Sequence, residues 1–158
     1  MKTLMTLLIF AVVSAGTLAD EPGEIVTLVP DSLPKPFKNR FSHGKVVPAG
    51  ARWLFTAGQT GIDVDGTIGD GIEEQADLAM RNLYNIVKAA GMEAEDVIKM
   101  NIYYLDPAYL KIIVAARNRY FGEGFAPAST AVGVSAFARP QLLMEVELVA
   151  AKMPEQTS

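Results

Sequence analysis

Between Ile72 and Ala90 the apolar residues fall three and four apart: Ile72, Ala76, Ala79, Leu83, Ile86, Val87 and Ala90. Glu73, Glu74, Asp77, Arg81 and Lys88 take the other side of the wheel, so the segment reads as an amphipathic helix with one stripe to bury. Most of such a helix's stability comes from packing that stripe, so the rest of the chain must supply a surface for it. Asp70 is placed to cap the first turn with Glu73 reaching back, and Gly91 closes the helix in the left-handed conformation that glycine adopts cheaply.

The surface comes from extended segments. Val97 to Leu105 alternates, with Ile98, Met100, Ile102 and Tyr104 on one face and Lys99 and Asn101 on the other, as a strand with one buried face does. Asp106-Pro107 opens a second helix, whose inner stripe is Leu110, Ile113, Val114, Arg117, Tyr120 and Phe121 and which stops at Gly122 and Gly124. Arg117 interrupts that stripe, and the expectation is a stem packed along the surface with its head in water.

Glu24 to Pro30 reads as a short strand. Phe41 to Val47 and Arg52 to Gln59 are extended runs joined by Pro48, Ala49 and Gly50, which suggests a hairpin. Thr60 to Val64 and Thr67 to Ile68 flank an Asp65-Gly66 turn, and Ser129 to Phe137 and Leu142 to Ala151 are two last strands around Arg139-Pro140. The order implies an α+β fold, a mixed sheet with both helices on one face. Two helices cannot cover both faces of such a sheet, so association through the open face is expected. Trp53 and Phe55 share one side of their strand and Leu54 the other, as a strand buried on both sides would have.

At 158 residues, half of them apolar, the chain is sized for one domain. A net charge of −4 argues against a nucleic-acid partner, because neutralising phosphates takes an excess of Lys and Arg. There is no cysteine and a single histidine, His43, so disulfides, thiolate chemistry and a transition-metal site are not expected, nor is a cofactor. Asp63-Val64-Asp65-Gly66 resembles the start of a calcium loop but lacks flanking helices and reads as a turn.

Lys2, an apolar run from Leu4 to Val13 and the small residues Ser14, Ala15, Gly16 and Ala19 form a signal-peptide pattern. Residues 1–19 are read as the signal and 20–158 as the domain, with cleavage after Ala15 the second choice and a buried N-terminal element the alternative to export. The expected product is secreted or periplasmic. No second apolar run suggests a membrane span.

Thr56-Ala57-Gly58-Gln59, Ala89-Ala90-Gly91-Met92, Asp96-Val97-Ile98-Lys99, Pro127-Ala128, Val132-Gly133-Val134 and Glu145-Val146-Glu147 recur in an order that resembles the Rid (reactive intermediate deaminase, or YjgF) family from about Arg40 to Lys152. The resemblance implies a chorismate-mutase-like fold, a homotrimer whose sheets form a central barrel, clefts between subunits for a small-molecule ligand, and hydrolysis of imines and enamines by members with the full site. In those members an arginine that holds the substrate carboxylate follows the Pro-Ala pair. Here Ser129 does. By the same alignment Phe41 stands where tyrosine is usual and Val114 where asparagine is common, while Glu145 keeps the glutamate that orients or activates water.

Glu145 is therefore the candidate catalytic residue. Ser129, Thr130, Phe41, Val114 and Arg139 are the candidate ligand-binding residues, the last as a loop cation near a cleft. On the residues alone, Glu145 and Glu147 also fit the solvated face of a strand, Arg139 a solvated turn, and Ser129 lacks the partner base a nucleophile needs. Two functions fit these residues: a hydrolase of imines, enamines or related labile compounds, and a metabolite-binding trimer without chemistry.

Overall fold

A computed structural model of the chain describes residues 23–154. The segment read as a signal, residues 1–19, lies outside the described residues. The elements are β1 (Val26–Leu28), β2 (Gly44–Val46), β3 (Arg52–Phe55), β4 (Gln59–Thr60), α1 (Gly71–Ala89), β5 (Val97–Tyr104), α2 (Leu110–Phe121), β6 (Ala128–Gly133) and β7 (Met144–Lys152). The main sheet runs β3-β7-β5-β6, with β4 also on β7. β5, β3 and β4 all lie antiparallel to β7, whereas β6 runs parallel to β5. A parallel neighbour needs a long crossover, and α2 is that crossover.

β7 alternates from Met144 to Ala150. Met144, Val146, Leu148 and Ala150 are buried against the helices, and Glu145, Glu147 and Val149 face the other way. β5 matches it in register, Met100 opposite Leu148 and Ile102 opposite Val146. Ala76, Ala79, Met80, Leu83 and Val87 of α1 and Ile113, Ala116 and Phe121 of α2 complete the core over the same face. Each large apolar side chain withdrawn from water there contributes about 1.5–3 kcal/mol before entropy is counted.

The expected hairpin does not form. The chain turns at Ala49-Gly50, with Gly50 at φ +84°, but passes from one sheet to another. β2 pairs with β1 in a separate two-stranded sheet, and β3 pairs with β7. Local turn chemistry was satisfied, yet both runs found better partners far along the chain. The run expected from Arg52 to Gln59 is also broken: Thr56, Ala57 and Gly58 oppose only Leu148 and Glu147, a one-residue bulge between β3 and β4. β6 ends at Gly133 rather than Phe137, because its partner β5 ends at Tyr104.

Asp70 occupies the N-cap of α1, but its side chain caps nothing. Glu74 reaches back to its N–H instead of Glu73 (2.8 Å), after an entry in which Gly71 takes a φ of +70°. Gly91 closes the helix at φ +68°, and Asp106 accepts from Ala108 N–H at 2.8 Å to open the turn before α2, both as read from the sequence.

One buried polar side chain ties the loops to this frame. Gln75 Nε2 donates to the carbonyls of Gly69 (3.1 Å) and Gln141 (2.9 Å), and its Oε1 accepts from Leu143 N–H (2.9 Å). Gly61 lies against it so closely that a Cβ there would overlap the Gln75 side chain. Gln75→Leu keeps the volume but leaves these backbone groups unpaired, and should lower unfolding free energy by about 2–4 kcal/mol in urea titration at fixed protein concentration.

Candidate ligand cavity and acidic sheet face

Phe41, Val114 and Ser129 line one cavity of about 250 Å³. They arrive from three places. Phe41 belongs to the loop before β2, which is laced to the start of β6: Ser42 N–H donates to Pro127 C=O at 3.0 Å, and Ser42 bridges Ala128. Just ahead of it Lys38 and Asn39 hold φ values of +50° and +52°, conformations costly for residues with a Cβ and maintained here by the surrounding loop. Val114 projects from α2. Ser129 lies opposite Met100 in the β5–β6 ladder and so faces the helices.

Ile102, Leu110 and Ala131 make much of the remaining wall apolar, and Arg40 and Arg117 bring cations to it. Arg117 corrects the sequence reading, since its side chain is not a snorkelling surface group but is 3% exposed. Its guanidinium sits 5.5 Å from the Phe125 ring centroid, donates from Nη1 to the Arg40 carbonyl (3.2 Å), and donates from Nε and Nη2 to Asn118 Oδ1 (3.2 and 3.0 Å). Among the described residues it makes no salt bridge. Burial first, and then the positive charge of Arg40, pull its pKa below the ordinary arginine value, with Glu123 opposing them. A guanidinium stays protonated under such pressure, so a desolvated positive charge lines the cavity. The sequence carried a signal for it in the break of an apolar stripe.

Glu145 lies on the opposite face of the sheet, across from Tyr103 on one side and Thr60 on the other. Its carboxylate fills the space where a Cβ of Gly58 would be, and that glycine is part of the bulge. Beside it Glu147 accepts from Asn101 Nδ2 (2.9 Å) and Tyr103 OH (3.0 Å), and the latter bond is the first cause that raises the Tyr103 pKa, followed by desolvation and the charges of Glu147 and Glu145. Thr130 belongs to this face too: its hydroxyl accepts from Lys99 Nζ at 2.6 Å. Ser129 and Thr130, neighbours in sequence, thus point away from each other. Arg139 is exposed on the turn before β7 and does not line the cavity. His43 Nε2 hydrogen-bonds with the Pro34 carbonyl (2.8 Å). A larger depression of about 540 Å³, with Thr27, Lys45, Glu95 and Phe125 on its walls, contains none of the candidate catalytic or ligand-binding residues.

A family model described as Endoribonuclease L-PSP matches residues 34–152. The chain belongs to this family, the Rid or YjgF family. Among solved Rid-family structures, YyfB from Yersinia pestis superposes with a TM-score of 0.72 at 26% identity, over 81% of this chain and 98% of that one. A RutC family protein of Pyrococcus horikoshii is 35% identical over 77% of this chain and 94% of its own length. The human 2-iminobutanoate/2-iminopropanoate deaminase is 29% identical over 68% of this chain and 78% of its own. The family's YjgF-like fold accounts for the mixed sheet with α1 and α2 on one side.

Gly58 and Glu145 give a direct test of the geometry in this Rid-family chain. Gly58→Ala should cost about 1–3 kcal/mol of stability through overpacking. In a Glu145→Ala background the same change should be nearly neutral, because the clashing carboxylate is gone. A double-mutant cycle by urea unfolding reads the difference.

Proposed function

We propose that this chain is an exported Rid-family protein that binds a small metabolite in clefts between the subunits of a homotrimer and hydrolyses carboxylated imines slowly or not at all. The observation that carries the reading is the convergence of Phe41, Val114 and Ser129 on one small cavity, with a serine hydroxyl where the deaminating members have a guanidinium. A relative named as a 2-iminobutanoate/2-iminopropanoate deaminase supplies the reaction against which it is measured. A neutral hydroxyl gives one hydrogen bond, whereas arginine gives a fixed charge and a two-pronged donor that holds a carboxylate while water attacks the adjacent carbon.

Assembly is supported by the open sheet face. Trp53 and Phe55 stack there with ring centroids 6.0 Å apart and are 47% and 71% exposed, with Val132 exposed as well. Aromatic surface of this kind is costly to leave in water. Glu145 shares the face, so within one subunit it is separated from Ser129 by the thickness of the sheet. A cleft between subunits is the arrangement that brings the carboxylate of one chain toward the cavity of another. The word endoribonuclease in the family description suggests RNA as a second substrate class, but the net charge of −4 weighs against it.

Imines generated in place by an amino-acid oxidase test the chemistry. Loss of the anchoring pair should leave hydrolysis about 30-fold to several-thousand-fold slower than in an arginine-bearing relative. A comparable rate would overturn the proposal. Light scattering should give a trimer, and a monomer at micromolar concentration would remove the intersubunit cleft. N-terminal sequencing of protein from the native host should begin at Asp20, or at Gly16 if the second cleavage site is used, and an intact Met1 would rule out export by this signal.

A further inference from the structure

We infer that the cavity behind Ser129 is a monocarboxylate site whose anchor has moved from β6 to α2, with Arg117 holding the anion and Ser129 adding a hydroxyl donor. The inference rests on the metabolite-binding reading and names the ligand class for the same site.

Four observations carry it. Arg117 is almost wholly buried, yet its hydrogen-bond partners are a carbonyl and an amide oxygen, both neutral. Glu123 acts on it at one remove, accepting from Asn118 Nδ2 at 2.8 Å, so the buried cation has no carboxylate bonded to it, and an anion entering from solvent would lower the cost of its burial. The five donors of a guanidinium are not exhausted by the bonds in place: Nη1 and Nη2 each make one, which leaves one N–H on each. Arg40 lines the same cavity, and its positive charge adds to the field there while Phe37 packs under its guanidinium at 5.6 Å. Finally, the remaining wall is Phe41, Val114, Ile102, Leu110 and Ala131, which suits a short hydrocarbon body.

Size and polarity select within the anions. About 250 Å³ is below the range that holds drug-sized ligands and above the ~150 Å³ that accommodates benzene in an engineered cavity. A phosphate would bring more charge and more acceptors than two free N–H groups and one hydroxyl can satisfy. A short aliphatic carboxylate matches both the donors and the apolar wall. Binding here also differs from binding for hydrolysis. A carboxylate held from α2 is displaced from the place where an arginine at position 129 would hold it, so the carbon to be attacked is displaced as well. Retained binding and slow chemistry are then two consequences of one relocation.

Butanoate, its uncharged counterpart butanamide and inorganic phosphate test it, titrated calorimetrically into the full-length processed protein. Butanoate should bind at least about tenfold more tightly than butanamide and more tightly than phosphate, as a charge-assisted anchor requires. Arg117→Gln should abolish the preference for the anion, and Arg40→Gln should weaken it several-fold while leaving it detectable. Val114→Phe, which fills the cavity and spares the arginine, should abolish butanoate binding, and it decides the location if Arg117→Gln does not fold. Equal affinity for butanoate and butanamide would overturn the anion anchor and leave metabolite binding intact. Stronger binding of phosphate would overturn the ligand class. Butanoate binding that survives Val114→Phe would place it elsewhere, and failure to bind either organic probe would remove the site together with the metabolite reading.

Discussion

The fold depends on β7 being buried on one side only. Met144, Val146, Leu148 and Ala150 lie under the helices, and the residues between them do not. Because side chains alternate along a strand, this burial sets the register of β5, β3 and β4 against β7 at once, and a slip of one residue would drive Glu145 and Glu147 into the core. The two faces of the sheet thereby acquire different chemistry. The helix side is mostly apolar, with its polar groups gathered at the cavity of Ser129 and Arg117, and the open side carries acids, hydroxyls and the Trp53–Phe55 stack.

That division decides where anything else can be built. α2 must cross over from β5 to its parallel neighbour β6, and in doing so it lies beside the first residues of β6. Arg117 and Val114 therefore meet Ser129 as a consequence of topology. The loop carrying Arg40 and Phe41 closes the space from outside, since Ser42 is tied to Pro127 and Ala128. On the opposite face the bulge at Thr56–Gly58 bends the β3–β4 edge and opens the space that the Glu145 carboxylate fills.

Periodicity made the helices and the alternation of β5 and β7 legible in the sequence, because there the local pattern and the tertiary environment agree. The hairpin failed for the converse reason. Phe41–Val47 and Arg52–Gln59 have the composition of paired strands, but composition says that a segment will pair and not with which partner, and the partners lie at Val26–Leu28 and in β7. Phe41, Val114 and Ser129 were found through the family resemblance, and the structure brings them together. Arg117 was visible as an interruption of the α2 stripe. Its destination was not, because an arginine at such a position fits a snorkelling surface group equally well until the loop that buries it is known.

The position of the cation then bears on what the site can do. An enzyme gains rate from groups that hold the substrate better at the transition state than in the ground state, and for water attack this requires the anchored end and the attacked carbon to be fixed together against the water-handling carboxylate. A guanidinium on β6 would share a strand with the residues that follow it into the open face. A guanidinium on α2, held by Asn118 and by the Arg40 carbonyl, is referred instead to the helix layer and to a surface loop. Its charge contributes to affinity wherever the carboxylate meets it, but its position is no longer set by the sheet whose strand β7 carries Glu145. Affinity survives a change in the direction of approach far better than alignment does. On physical grounds, a cation moved in this way would keep affinity for a carboxylate at the expense of alignment, which favours the proposed binding function over the hydrolytic one.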